Sequence, residues 1–163
     1  MDLDCLHQYR ISKHPKDIYT GVSSDDQWTS LSDVGKIFCG KALTYSEYIY
    51  TENQYLEFIE WVCKTSGVER LRITNLEDYQ GLSHYPNLSW TEGVEQVKAI
   101  ARDCLREKYW CKLQSRNMFI HFGYDYYLYI GLQVDCTQIY HIASSLGLFV
   151  KKMPSPYCKL DSE

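Results

Sequence analysis

The segment HFGYDYYLYIG, residues 121–131, gathers five aromatic side chains and one histidine around a single carboxylate. Imidazole, carboxylate and thiol groups are the usual agents of acid–base and nucleophilic catalysis. His121 and Asp125 are four residues apart, which in a strand separates them by two pleats unless a turn at Gly123 brings them together. Cys111 offers another pairing with His121, across a hairpin. Neither a basic cluster nor a helix N-terminus lies beside Cys111 in the sequence to activate its thiol.

Other catalytic and metal-binding patterns are missing from the sequence. It contains no GxSxG, GxGxxG or HExxH motif and no phosphate-binding loop. No two histidines are three or four residues apart; they stand at His7, His14, His84, His121 and His141. We therefore expect no metal and no cofactor. Tyrosines on a sheet can stack RNA bases, but such surfaces also need lysine or arginine, and residues 121–131 contain neither.

The composition favours a protein partner. A chain of 163 residues fits one domain, which we expect to span residues 1–163. Its 15 tyrosines suit half-buried positions and interfaces, because each joins an apolar ring to a polar tip. A net charge of −4 argues against binding to nucleic acid or to an anionic membrane. Residues 1–80 carry 13 acidic and 8 basic side chains. This small acidic excess either favours a basic partner or serves only to keep the protein soluble.

The cysteines indicate a reducing compartment. Their number is odd and no CxxC pair occurs among Cys5, Cys39, Cys63, Cys104, Cys111, Cys136 and Cys158. This argues against a disulfide framework and a structural zinc site. The first residues lack the apolar core of a signal peptide, and no stretch approaches 18 apolar residues. We therefore expect a cytoplasmic protein.

One long helix is the clearest predicted element. Thr44 and Glu47 form a T-x-x-E capping box, and Gly67 stands where a helix commonly ends. Apolar residues recur between them at helical spacing. A further face of this helix combines carboxylates with aromatic rings, at Glu47, Tyr50, Gln54, Glu57 and Trp61. This face suits a partner rich in arginine or lysine, unless Trp61 packs beneath a loop.

Shorter helices are predicted elsewhere. Ser89 and Glu92 form a second capping box, ahead of a helix that runs to about Lys108. Another helix ends before Gly147, and residues 28–38 predict one or two helical turns. Strands are predicted at residues 5–13, 68–76, 109–114, 118–122, 126–130 and 148–152. Because no regular βαβ alternation occurs, we predict an α+β fold, with a mostly antiparallel sheet of about five strands packed against the long helix and two or three shorter helices.

The strands in and before the opening segment have two distinct faces. One face is expected to meet the helices and carries Met118, Ile120, Phe122, Tyr126, Leu128 and Ile130. The opposite face is half covered or available to a partner and carries Phe119, His121, Tyr127 and Tyr129. Asp125 and the phenol oxygens are the polar anchors that a binding face would use.

Five sequence blocks resemble a family of small bacterial immunity proteins. These blocks are WTSLSDVG (28–35), LTYSEY (43–48), WCKL (110–113), HFGYDYYLYIG (121–131) and GLFV…SPY (147–157). The resemblance extends from about Tyr9 to Tyr157. Members of this family are encoded beside polymorphic toxins, including those of contact-dependent growth inhibition systems. The resemblance implies a cytosolic, non-enzymatic inhibitor that covers the active site or a neighbouring surface of a toxin domain, often a nuclease.

We therefore predict that this protein neutralises the C-terminal domain of a cognate toxin by forming a stoichiometric complex. The expected contact residues are Asp25, Asp26, Glu57, Trp61, Tyr124, Asp125 and Tyr126. In an alternative view the resembling blocks hold the fold, and the surface loops set partner specificity. Two other functions stay open: a small cytosolic hydrolase that uses Cys111, His121 and Asp125, and a single-strand RNA-binding module on the tyrosine-rich sheet.

Overall fold

The computed structural model describes residues 3–15, 27–84 and 87–158 of the chain. Their architecture is α+β, as the sequence predicts. The helices are α1 (Tyr45–Ser66), α2 (Gly93–Leu105) and α3 (Gln138–Ser145). The strands are β1 (His7–Ser12), β2 (Ile37–Phe38), β3 (Lys41–Ala42), β4 (Arg72–Glu77), β5 (Trp110–Gln114), β6 (Met118–Phe122), β7 (Leu128–Leu132) and β8 (Phe149–Lys152).

Six strands form one antiparallel sheet in the order β4-β5-β6-β7-β1-β8, and β2 pairs with β3 separately. The first strand, β1, lies between β7 and the last strand, β8. The predicted antiparallel sheet is thus confirmed. It contains six strands among the described residues, compared with about five predicted. β7 begins at Leu128, two residues later than predicted, because Tyr124–Tyr126 forms a 3₁₀ turn.

Helix α1 begins and ends as its sequence predicts. The Thr44 hydroxyl accepts a hydrogen bond from the Glu47 backbone N–H at 3.2 Å, and the Glu47 carboxylate accepts one from the Thr44 N–H at 2.9 Å. Gly67 ends the helix at φ 65°, in the left-handed region that glycine enters without steric cost. The buried side of α1 packs on the helix-facing side of the sheet, where Met118, Ile120 and Leu128 lie in the main core.

The predicted capping box at Ser89 and Glu92 is wrong. Helix α2 begins at Gly93, and its N-cap residue Glu92 makes no capping bond through its side chain. Instead, the Gln96 side chain accepts a hydrogen bond from the Glu92 N–H at 2.6 Å. Ser89 lies outside the helix because its segment runs extended beside β4, where the Ser89 carbonyl accepts from the Ile73 N–H at 2.9 Å.

A buried ion pair that the sequence pattern did not indicate joins α1 to α2. Glu52 is 1% exposed, and Arg106 donates to it through both Nε and Nη2 at 2.8 Å. A second bridge, between Lys98 and Glu60 at 2.6 Å, joins the same helices. Nε of Arg102 on α2 also lies 3.6 Å from Glu52. A buried carboxylate needs such cationic partners, so these contacts favour one pairing of the two helices.

The face of the sheet opposite the helices is covered by other parts of the chain, so it is not available to a partner. Every residue of β6 and β7 is buried. Leu3 and Leu6 from the N-terminal segment pack there against Phe119, Tyr127 and Tyr129. Much of the tyrosine-rich stretch is therefore core, and the tyrosine rings on this face are not available as a platform for RNA bases.

The segment after β8 also closes over this face. The Ser155 N–H donates to the Gln8 side chain at 2.7 Å, and the Ser155 hydroxyl lies 2.9 Å from Nδ1 of His121. The buried Lys112 ammonium donates to the Tyr157 carbonyl at 2.8 Å. These bonds fix the position of Tyr157 relative to β5 and β6.

Candidate functional site

The antiparallel topology brings several distant segments to one end of the sheet. β4 ends there at Glu77, β5 begins there at Trp110, and the turn between β6 and β7 carries Tyr124. Adjacent antiparallel strands run in opposite directions, so the end of one strand meets the start of the next. The residues that follow α2 reach the same end, because β5 comes directly after that helix.

A groove of about 470 Å³ opens at this end of the sheet. We call it the tyrosine groove, and its lining includes Glu77, Tyr79, Glu107, Trp110, Tyr124 and Tyr157. Tyr79 and Tyr124 are 91% and 81% exposed, although aromatic side chains normally bury most of their surface. Two such exposed rings on one concave surface are typical of a protein-binding site.

The inner wall of the tyrosine groove is held firmly. Trp110 donates from its indole N–H to the Phe122 carbonyl at 2.7 Å, and its ring centroid lies 5.4 Å from that of Tyr157. Burial raises the pKa of Tyr157 to about 12, so its hydroxyl stays protonated at neutral pH. This wall is therefore preorganised, and little entropy would be lost there on binding.

The charge of the tyrosine groove is negative. Among the residues that the structure describes, neither Glu77 nor Glu107 forms an ion pair. The groove's lysine, Lys108, is already paired with Asp103 at 2.9 Å. Two exposed carboxylates thus stand beside two exposed tyrosines with no cation of the described chain to balance them.

Glu107 lies in a locally unfavourable setting. Although the residue is exposed, its carboxyl group is partly shielded from water; its pKa is raised first by this partial burial and then by the negative charges of Asp33 and Asp125. Its backbone has φ 57°, a left-handed conformation that costs a residue with a side chain about 1–2 kcal/mol. After each of the other two helices, the residue that takes a left-handed φ is a glycine, Gly67 or Gly147.

The predicted contact residues near the turn have different environments. Tyr124 lines the groove, and Asp125 beside it is half-buried, with its carbonyl 3.1 Å from Nε2 of His14. Tyr126, another predicted contact residue, is 3% exposed and lies in the main core, on the helix-facing side to which the strand alternation also assigned it. Its hydroxyl donates to the Tyr48 hydroxyl at 3.0 Å, and its carbonyl accepts from Tyr55 at 2.7 Å. Tyr126 therefore holds the fold.

The predicted contact residues on α1 lie on the other side of the helix from its core stripe. Glu57 is exposed, and Trp61 is half-buried against the main core, with its ring 6.4 Å from that of Phe58. Tyr50 on the same face is 68% exposed. This helix face remains a candidate second contact surface. The predicted contacts Asp25 and Asp26 lie outside the described residues.

The proposed cysteine–histidine couple is not assembled. In β5, Cys111 faces the main core, and its sulfur lies 3.8 Å from that of Cys104. His121 pairs across the strands with Lys112, the neighbour of Cys111, so it lies on the opposite face of the sheet. His121 is fully buried, and its ring nitrogens contact Gln114 and Ser155, both at 2.9 Å.

Sequence reasoning missed most of the tyrosine groove. Glu77 and Tyr79 come from one segment and Glu107 and Trp110 from another, and no sequence pattern connects the two segments. One signal was present: a glutamate stands at position 107, just after a helix, where glycine is the usual residue. Recognising it would have required knowing that α2 ends at Leu105 rather than at about Lys108.

Comparisons with known proteins add no relative. Searches of family models, curated proteins and solved structures found no match to this chain. The described residues contain no group of three or more histidine, cysteine, aspartate or glutamate side chains able to hold a metal ion. Within the same part of the chain, no helix is both long and apolar enough to cross a membrane.

Proposed function

We propose that this protein is an immunity-type inhibitor, which binds a basic toxin domain in the cytoplasm and blocks it without catalysis. The observation that carries the proposal is the tyrosine groove, where the exposed rings of Tyr79 and Tyr124 stand beside the carboxylates of Glu77 and Glu107, which pair with no cation among the described residues. Exposed aromatic rings supply most of the affinity at protein interfaces, and charges of one sign steer an oppositely charged partner. The nuclease domains that such inhibitors often bind carry basic surfaces.

The sequence resemblance to immunity proteins supports the same function. Its blocks divide into two roles. Trp28, Tyr48 and Tyr126, from three different blocks, pack on one another with ring centroids 5.4–6.0 Å apart, so they maintain the fold. Tyr124, from the same HFGYDYY block as Tyr126, lines the tyrosine groove.

The first experiment is co-expression with the toxin-like domain encoded beside this gene, scored by growth and by co-purification. We expect growth to be restored and a one-to-one complex to be isolated. No growth rescue and no complex would contradict the proposal for that pair. The RNA-binding alternative is tested in parallel, since it expects salt-dependent binding to single strands at low ionic strength.

The contact surface is tested on that complex with matched variants. The double variant Tyr124→Ala/Glu107→Gln should weaken toxin binding by at least about tenfold, the loss expected for one central aromatic contact. The control Tyr140→Ala/Glu69→Gln changes an exposed tyrosine and an exposed glutamate that do not line the groove, and should bind normally.

Glu57 on α1 and Asp125 in the turn before β7 are tested together by reversing charge. Asp125→Lys combined with Glu57→Lys should slow association with a basic toxin, and the effect should shrink at high salt. If this double variant binds with unchanged affinity while the complex itself is intact, Asp125 and Glu57 are not contact residues.

A further inference from the structure

The tyrosine groove has the features of a receptor for one particular side chain. Resting on the function proposed above, we infer that it binds the guanidinium group of an arginine that the partner protein inserts between Tyr79 and Tyr124. In this arrangement the carboxylates of Glu77 and Glu107 pair with the guanidinium group. The arginine would then be the central anchor of the complex.

A cation is favoured because the groove holds negative charge that the described chain leaves unbalanced. Partial burial, followed by the negative charges of Asp33 and Asp125, raises the pKa of Glu107 and so disfavours its ionised form. A bound cation would reverse that effect, since an opposite charge within a few ångströms favours ionisation. Lys108 does not fill this role, because its ammonium group is already bound to Asp103.

Arginine is favoured over lysine because of the aromatic lining. A planar guanidinium group stacks on aromatic rings and presents a fork of donors to a carboxylate. Of the aromatic side chains in the lining, the four that are not buried offer their rings for such stacking: Tyr79, Trp110, Tyr124 and Tyr157. A lysine ammonium is a compact, strongly hydrated charge that would use this flat surface less well. Arginine is also among the residues most enriched at interface hot spots.

The position of Glu107 gives a further reason to assign it a role. The left-handed residue after α1 and after α3 is glycine, which avoids strain. Glutamate at this position is strained and lies among like charges, so it does not stabilise the free protein. Backbone strain and like-charge repulsion both destabilise the free protein at Glu107. We expect such a residue to contribute a favourable contact when the partner binds.

The test uses short peptides and the intact protein, so it does not depend on knowing the toxin. Acetyl-Gly-Arg-Gly-amide is titrated into ¹⁵N-labelled protein, and the indole N–H of Trp110 and the amide of Gly123 are followed by NMR. The matched control replaces arginine with citrulline, which has nearly the same shape and no charge. We expect saturable shifts with the arginine peptide in the millimolar range and no saturable shifts with citrulline. The indole signal of Trp61, which is not part of the groove lining, should not move with either peptide.

Variants tie the response to the named carboxylates. Glu77→Gln/Glu107→Gln should weaken arginine-peptide binding by at least about threefold, while Glu69→Gln should leave it unchanged. Both variants should give the wild-type spectrum elsewhere, which shows that they are folded. The guanidinium assignment would be overturned by any one of three results. These are no saturable shift at about 50 mM arginine peptide, equal binding of the citrulline peptide, or equal binding of a lysine peptide.

The outcomes separate this inference from the proposed function. If the toxin complex forms and the double glutamine variant binds the toxin normally, the inhibitor function stands and the arginine site is wrong. If the arginine peptide binds but the toxin encoded beside the gene does not, the site stands and the partner assignment is wrong.

Discussion

Tyr126 donates a hydrogen bond to the hydroxyl of Tyr48 at 3.0 Å, although the two residues are 78 positions apart in the chain. Trp28 packs against both rings. Burial raises the pKa of both tyrosines, so both hydroxyls stay protonated at all ordinary pH values. This contact joins the turn before β7 to helix α1, and it leaves the neighbouring Tyr124 exposed at the groove.

Tyr124 and Tyr126 should therefore respond differently to the same substitution. Tyr126→Phe removes the donor to Tyr48 inside the core and should lower the free energy of unfolding by about 1 kcal/mol. Tyr124→Phe changes an exposed side chain and should stay within about 0.5 kcal/mol of the wild type. Urea denaturation measures both values. Equal effects of the two substitutions would contradict the division between a structural and a binding tyrosine.

Gly131 is required by the ring of Phe119 on the neighbouring strand. A Cβ atom at position 131 would lie 2.2 Å from Cε1 of Phe119, well inside van der Waals contact. Gly131→Ala should therefore lower the free energy of unfolding by roughly 1–3 kcal/mol.

The double variant Gly131→Ala/Phe119→Leu provides the control for this explanation. It should be more stable than the sum of its two single effects, because leucine leaves space for the new methyl group. Strict additivity in thermal or urea unfolding would mean that the cost at Gly131 does not come from Phe119.

Glu107→Gln should stabilise the free protein at neutral pH while it weakens partner binding. The raised pKa means that the folded state holds the Glu107 proton more tightly than the unfolded state does. The resulting stability is fully present below the unfolded pKa and is lost as the pH rises through the folded pKa. The glutamine variant should therefore unfold at a higher denaturant concentration than the wild type at pH 7, and at a similar one at pH 3.

The variant Glu107→Gly tests how much the backbone conformation at this position lowers the free energy of unfolding. Glycine also relieves the left-handed conformation, which should add up to about 1 kcal/mol at both pH values. A glutamine variant that is less stable than the wild type at pH 7 would show that Glu107 has a stabilising contact in the free protein.

Iodoacetamide labelling should separate the inhibitor from the hydrolase. Cys5 and Cys39 are exposed, whereas Cys111 is fully buried against Cys104. Burial also raises the pKa of Cys63, to about 12. Because the reactive form is the thiolate, Cys5 and Cys39 should react first in the native protein, and Cys111 should react only on unfolding. Mass spectrometry of timed samples that found Cys111 modified first would revive the catalytic interpretation.

The sequence determined the local elements and the inward face of the strands. Three of these features depend only on neighbouring residues, and the structure confirms them. They are the capping box of Thr44 and Glu47, the glycine at position 67 and the alternation through Met118, Ile120 and Phe122. Ser89 and Glu92 fit the same local rule, which failed there because a tertiary contact drew Ser89 into pairing beside β4.

Only the tertiary structure decided which face of the sheet is closed and where the candidate site lies. Tyr127 and Tyr129 alternate with apolar residues in the same way whether or not Leu3 and Leu6 cover them. The local sequence therefore does not show that distant segments bury them. The groove joins Glu77, Tyr79, Glu107 and Trp110 through strand order, and strand order follows from long-range pairing. Spacing along the chain reports on contacts within one element, whereas this surface is made by the ends of several elements that meet only after folding.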